Sequence, residues 1–174
     1  MSRVKLVLGA KYTVYVFILL LLYVLQTTPG LFVLFDAKPM LVVPAAIAIA
    51  MYEGEFAGGI YGAFAGLLSD MGSSMLFGFG GLLLAFFCIA TGLLVIHLMH
   101  CNVWNAILYV AVAMLIQGSL AFLFGFGMWG HANVWMIYVR QTLPLVGYTT
   151  VVTPVLFWLV GQVYWRAQRR LSRN

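Results

Sequence analysis

The stretch EGEFAGGIYGAFAGLLSDMGSSMLFGFGG, residues 53–81, decides the fold. Small residues recur in it at every fourth position, and an acid takes the next step of the series: Gly54, Gly58, Gly62, Gly66 and Asp70. We call the four glycines the glycine ladder. Residues spaced by four share one face of an α-helix, so a neighbouring backbone can come close to that face. The pattern predicts a helix that packs tightly against another.

Composition places this helix in a membrane. The chain has 174 residues, of which 64% are hydrophobic and 7% charged, and a soluble domain of this size could not bury so much apolar surface. The basic residues concentrate near the two ends, at Arg3, Lys5 and Lys11 and in the segment 166–173. This distribution is typical of membrane-protein flanks that contact anionic lipid headgroups. It lacks the basic stripe of a nucleic-acid-binding surface, so we expect an integral membrane protein that binds no nucleic acid.

Apolar segments predict a single transmembrane domain, residues 1–174, folded as a compact all-α bundle of six helices. The approximate spans are 12–28, 39–52, 56–69, 77–98, 103–126 and 142–165, followed by a basic tail at 166–174. A crossing helix needs about 20 apolar residues, and the second and third spans are shorter than that. Joining them into one helix would place Glu53 and Glu55 near the bilayer centre, at roughly 2.5 kcal/mol or more for an unpaired acid. We therefore expect two short helices joined by a tight turn.

Charge distribution also predicts the topology. Basic residues at both ends place both termini in the cytoplasm, which requires an even number of spans. The loops are then divided between the two sides: 29–38, 70–76 and 127–141 outside, 53–55 and 97–102 inside. The segment QTTPG after the first apolar run has no small-residue cleavage pattern, so we interpret that run as an uncleaved helix.

The acids near the ladder allow structural and functional interpretations. Asp70 suits a cap for the turn DMGSS that it begins, because its oxygen accepts backbone N–H groups; a cation or an arginine of a partner is the alternative. The glycine ladder fits either plain helix packing or the binding of a partner helix. Glu53 and Glu55 are expected to be solvated in a turn, with a proton relay or a pair with a partner's basic group as alternatives.

Other polar residues carry weaker signals. His97, His100 and Cys101 have metal-ligand chemistry but no fourth ligand, so an interfacial loop is the preferred interpretation. A polar group on the last two spans predicts either a small pocket or hydrogen bonds between helices: Gln117, Ser119, Tyr148, Thr149, Thr150 and Thr153. The sequence contains no nucleophile elbow, zinc helix or phosphate loop. We expect no catalytic residues, no metal and no cofactor.

The order of features from Pro39 onward resembles the MreD family of bacterial rod shape-determining membrane proteins. The matching residues are Pro39, Glu53-Gly54-Glu55, Gly58, Gly62, Gly66-Leu67-Leu68, Asp70, Ser73 and Gly78. The likeness covers about residues 35–100, and its most specific part is Gly-Leu-x-x-Asp followed by a small turn and a glycine. Ser74 and Phe77 depart from the pattern, since the family more often has glycine and leucine there.

The resemblance implies a non-enzymatic subunit of the cell-elongation machinery in the bacterial cytoplasmic (inner) membrane. MreD-like proteins are associated with MreC, and through it with MreB filaments, RodA and a penicillin-binding transpeptidase, in lateral peptidoglycan synthesis. The face formed by the glycine ladder and Asp70 is then the expected binding surface for the MreC transmembrane helix.

A second family has a similar span number and size. Substrate-binding subunits of energy-coupling-factor vitamin transporters resemble this chain in those respects, and a similar fold is expected. Such subunits present small residues on their first helix for docking on the transport module, whereas the first span here, YTVYVFILLLLYVLQTT, is bulky throughout. Vitamin binding is therefore the alternative function.

Overall fold

The computed structural model describes residues 2–28, 40–72, 77–98, 101–125 and 134–171, with only the backbone described in 2–7, 121–125, 134–143 and 170–171. These residues form six α-helices and no strand: α1 (Ser2–Thr27), α2 (Val42–Glu53), α3 (Glu55–Met71), α4 (Phe79–His97), α5 (Val103–Gly125) and α6 (Val134–Leu171). The predicted all-α fold is confirmed. The predicted loop at 29–38, residues 73–76 of the predicted loop 70–76 and residues 127–133 of the predicted loop 127–141 lie outside the described residues. The remaining residues of that last loop, 134–141, form the beginning of α6, so this part of the loop prediction is wrong.

Within the described residues, four helices contain a segment long and apolar enough to cross a membrane: Leu8–Thr27, Phe79–His97, Val103–Leu120 and Pro144–Arg169. They correspond to the first, fourth, fifth and sixth predicted spans. Helices α2 and α3 have 12 and 17 residues and are therefore about 18 and 26 Å long at about 1.5 Å per residue. A hydrocarbon core is about 30 Å thick, so six crossings stay a prediction where these two helices are concerned.

Helix α2 lies at the centre of the bundle. Every residue from Val42 to Met51 is buried, and α2 packs against each of the other five helices. Its sequence explains this position, because a helix that is apolar on all sides is stable only when other elements surround it. Four of its twelve residues are alanine, and such small side chains allow neighbouring helices to approach closely.

A single residue, Gly54, separates α2 from α3. The Gly54 N–H donates to the Ala50 carbonyl at 3.0 Å and completes α2, while the Gly58 N–H donates to the Gly54 carbonyl at 2.9 Å and begins α3. Gly54 has φ of +89°, a conformation that strains residues with a side chain. The chain therefore forms two helices here, as predicted, with a break shorter than the expected loop.

Helices α3 and α4 pack backbone against backbone. A Cβ added at Gly66 would lie 2.5 Å from the Gly80 carbonyl oxygen and 2.5 Å from the Gly81 Cα. At the other end of the pair, a Cβ on Gly92 would lie 2.6 Å from the Glu55 Cα. Glycines of both helices therefore permit the close contact, which we call the α3–α4 seam.

The seam makes a prediction for the substitution Gly66→Ala. We expect it to destabilise the protein by about 1–3 kcal/mol, because the new methyl group would overlap backbone atoms that cannot rotate away. The measurement is the unfolding midpoint of the purified protein in a mild detergent.

The matched control is Gly147→Ala in α6, where an added Cβ meets nothing within 4 Å. That variant should be neutral or slightly stabilising, since alanine favours a helix interior by about 0.5–1 kcal/mol over glycine. Equal midpoint shifts for the two variants would contradict the close α3–α4 contact.

Candidate functional site

A buried ion pair closes one end of the bundle, where α2 ends. The Lys11 Nζ lies 2.5 Å from the Glu53 Oε1, and the two side chains are 6% and 8% exposed. The Tyr15 hydroxyl donates to the same carboxylate oxygen at 2.8 Å. Because a buried charge is costly unless it is paired and hydrogen-bonded, each of these groups requires the others.

Two further tyrosines extend this arrangement. The Lys11 ammonium lies 4.7 Å from the centre of the Tyr164 ring, a cation–π distance. Tyr61 packs edge-on against Tyr15 with ring centres 5.7 Å apart. We call Lys11, Tyr15, Glu53, Tyr61 and Tyr164 the polar cluster. It connects α1, α2, α3 and α6 through side-chain contacts.

The interpretation of Glu53 as a solvated turn residue is wrong. Glu53 is the last residue of the central helix, and the burial of α2 carries its carboxylate into the bundle. Lys11 and Tyr15 are four residues apart and therefore share one face of α1. This spacing is the sequence signal that could have predicted a partner for Glu53. Glu55 is half-buried and lies in the first turn of α3, where the helix dipole favours an acid.

Asp70 caps the helix that follows the turn. Its Oδ2 accepts the N–H of Gly78 at 2.9 Å and that of Gly81 at 3.2 Å, and the residue is 7% exposed. Gly78 is the N-cap of α4 and has no side chain to satisfy the free N–H groups of the first turn. Asp70 supplies the acceptor from α3, and the N-terminal end of the α4 dipole favours its charge. Residues 73 and 74 of the predicted DMGSS turn lie outside the described residues.

The glycine ladder lies on the inside of the bundle. An added Cβ at Gly62 would lie 2.8 Å from the Cys88 Cβ of α4, and one at Gly58 would lie 2.5 Å from the Ala50 Cβ of α2. Gly66 contacts α4 as described above, and Gly54 lies apart at the helix break. The face that we expected to bind a partner helix is therefore covered by helices of the same chain.

The histidine and cysteine group forms no metal site in the part of the chain that the structure describes. His97 is in the last turn of α4, with its Nδ1 3.0 Å from the Leu93 carbonyl oxygen, and His100 lies outside that part. Nowhere in the described ranges do three His, Cys, Asp or Glu residues come close enough to hold a metal ion.

Hydroxyl groups of α5 and α6 bind within their own helices. Ser119 donates to the Leu115 carbonyl, Thr150 to the Val146 carbonyl and Thr153 to the Thr149 carbonyl. Thr149 also accepts the Met40 N–H at 3.3 Å. Gln117 has a buried Oε1 with no hydrogen-bond partner among the described residues. The hydroxyl groups of Ser119, Thr150 and Thr153 therefore bond to carbonyl groups of the helices that carry them.

Sequence reasoning missed a cavity at the C-terminal end of α6. Its volume is about 510 Å³, and its walls come from the end of α2, the start of α5 and one face of α6. Trp158, Gln162 and Arg166 follow one another at intervals of four on that face. This spacing is visible in the sequence, but Arg166 was assigned to the basic tail at 166–174 and not to the helix.

The described residues contain four candidate membrane-spanning helices and a short helix buried among them. This arrangement is that of a multi-pass membrane protein. Comparisons with protein-family models, with curated proteins and with solved structures find no match.

The polar cluster makes a prediction that a double-mutant cycle tests. We expect Lys11→Met to destabilise the protein by about 3–5 kcal/mol, because it leaves a buried carboxylate without its cation. Adding Glu53→Gln to Lys11→Met should restore part of the loss, since the uncompensated charge disappears. The measurement is the free energy of unfolding in detergent for both single variants and the double variant.

The control is Glu55→Gln, the same chemical change two residues along the chain. It should cost no more than about 0.3–1 kcal/mol, the usual value of an acid in a first helical turn. Additive effects of the Lys11 and Glu53 substitutions would show that the two groups do not interact.

Proposed function

We propose that this chain is a non-enzymatic membrane subunit of the bacterial cell-elongation machinery, which binds MreC and helps to organise lateral peptidoglycan synthesis. The observation that carries the proposal is the pattern Gly66-Leu67-Leu68, Asp70, Ser73 and Gly78, which resembles the MreD family. Indirect partners are then MreB, RodA and a penicillin-binding transpeptidase.

The geometry around Asp70 supports the proposal by giving the pattern a physical role. Gly66 permits the close approach of α3 to α4, and Asp70 caps α4 at Gly78. Residues that carry the resemblance therefore hold one pair of helices in a fixed arrangement. A rigid helix pair without catalytic side chains suits a subunit that positions other proteins.

The polar cluster supports the proposed topology. Lys11 lies near the beginning of the first candidate span and Tyr164 near the end of the last one, and they are in contact. The start of α1 and the end of α6 therefore lie at the same end of the bundle, as an even number of crossings requires. Basic residues at both ends favour the cytoplasmic side of the inner membrane.

The position of the glycine ladder changes where MreC would bind. Because α2 and α4 cover Gly58, Gly62 and Gly66, a partner helix would contact the outer surface of the bundle. The ladder would then act indirectly, by keeping α3 and α4 in place for that contact.

The proposed fold, similar to the vitamin-binding subunits of energy-coupling-factor transporters, includes α2 and α3 as short crossings. Docking of such subunits uses small residues on the first helix. Here the exposed face of α1 carries Phe17, Leu21 and Val24, which are 65%, 48% and 59% exposed. This surface favours the elongation role over the transport role.

The test is affinity capture of the tagged full-length chain from its native membranes in a mild detergent, with quantitative mass spectrometry of the recovered proteins. We expect MreC to be enriched over a capture with an unrelated multi-pass protein. Absence of MreC, or recovery of a transport module with paired ATPases, would contradict the proposal.

Two glycine variants sharpen the capture experiment. Gly62→Leu should reduce MreC recovery, since a larger side chain would displace Cys88 and the Leu84 carbonyl of α4. Gly147→Ala should retain full recovery, because an added Cβ there has no neighbour within 4 Å. Full recovery with Gly62→Leu would show that the α3–α4 seam has no part in MreC binding.

A further inference from the structure

The cavity at the end of α6 has the size of a ligand site. Its volume of about 510 Å³ lies within the range of about 300–1,000 Å³ that is usual for small-molecule pockets. Six of its lining residues are tyrosine, tryptophan, glutamine or arginine: Tyr52, Trp158, Gln162, Trp165, Arg166 and Arg169. Five of them belong to α6, and Tyr52 contributes the wall from α2.

The α6 face of this cavity changes in polarity along its length. Trp158, Gln162, Trp165, Arg166 and Arg169 follow at helical intervals of three and four and so share one face. From Trp158 to Arg169 the face is about 16 Å long, at about 1.5 Å per residue. It begins with the Trp158 ring, continues with the Gln162 amide and the Trp165 ring, and ends with the guanidinium groups of Arg166 and Arg169. An amphipathic molecule with an anionic head has the matching order.

The charge at the polar end is positive. None of the described carboxylates lines the cavity. Glu53 is next to Tyr52 in the chain, but Lys11 neutralises it. Two arginines on the same face can bind phosphate oxygens with paired N–H donors.

The wall opposite α6 is already in place. Tyr52 packs against Phe157 and Tyr164 with ring centres 5.0 and 5.2 Å away. Gly161 makes room for it, since a Cβ there would lie 2.7 Å from the Tyr52 hydroxyl oxygen. Tyr52 therefore needs no ordering when a ligand binds, which favours affinity.

The position of the cavity indicates where the ligand comes from. Trp158 and Trp165 are 66% and 57% exposed. Trp165 lies close to Arg169, where the candidate span ends, and tryptophan at such a position lies at the level of lipid headgroups. Trp158 lies about 10 Å deeper along the helix, at about 1.5 Å per residue. The cavity is thus accessible from the bilayer surface, and a molecule that is already anchored there can enter sideways.

We propose that this cavity binds one anionic glycerophospholipid. The phosphate binds Arg166 and Arg169, Gln162 contacts the glycerol region, and an acyl chain follows Trp158 towards the bilayer interior. Basic pockets between helices at a membrane surface recognise acidic lipids in this way. The site is independent of the elongation role.

The test is native mass spectrometry of the delipidated full-length protein in a neutral detergent, titrated with palmitoyl-oleoyl phosphatidylglycerol, with the corresponding phosphatidylcholine, or with inorganic phosphate. We expect one tight phosphatidylglycerol adduct, with about thirtyfold preference over phosphatidylcholine, as about 1 kcal/mol for each of the two arginines implies. The double variant Arg166→Gln/Arg169→Gln should lose the preference.

The charge-matched control is Arg3→Gln/Lys5→Gln, which removes two positive charges from the other end of the chain and should keep the preference. Equal loss in both double variants would show a general charge effect and would overturn the site. Inorganic phosphate is also added, at equal concentration, to the protein that carries phosphatidylglycerol. Complete displacement of the lipid would identify a free-anion site and overturn the proposal. A wild-type protein without preference for phosphatidylglycerol would also contradict the proposal, and unchanged unfolding midpoints of the variants verify their folding.

Discussion

The Glu53 carboxylate, at the end of a helix that is buried from Val42 to Met51, is the constraint on which the bundle depends. Helix α2 touches all five other helices, and the Glu53 side chain is only 8% exposed. Lys11 and Tyr15 must then lie beside it, which fixes the register of α1, and the contact of Lys11 with Tyr164 fixes α6. The buried charge of Glu53 therefore determines how α1 and α6, the two longest helices, pack against α2.

At the α3–α4 seam, a second buried acid is also satisfied by groups of the same chain. Asp70 is charged and buried, and the free N–H groups at the start of α4 satisfy it. Glycines on both helices allow the carboxylate and those N–H groups to meet. Because Glu53 and Asp70 are both satisfied within the chain, the surfaces that the described residues leave for partners and lipids are the outer faces of the helices and the cavity at the end of α6.

Sequence periodicity predicted the helices and the tight packing at the glycine ladder, because spacing by four determines which residues share a face. It could not predict which helix covers that face, since a small-residue surface accepts α4 or a partner equally well. Glu53 was misjudged because Lys11 was counted among flanking charges, and only the folded bundle shows that it reaches the end of α2. The cavity was missed because its walls come from three separate helices. The proposed function derives from a residue pattern, to which the structure adds a physical reason.

The most direct test of this account is a solid-state NMR measurement of dipolar coupling between lysine side-chain nitrogen and glutamate carboxyl carbon, with the protein in lipid bilayers. The chain has few candidates, with lysine at positions 5, 11 and 38. The account predicts one lysine nitrogen within about 4 Å of a carboxyl carbon, and loss of that signal in Glu53→Gln. A bilayer spectrum with no such contact would contradict the central role of the Lys11–Glu53 pair.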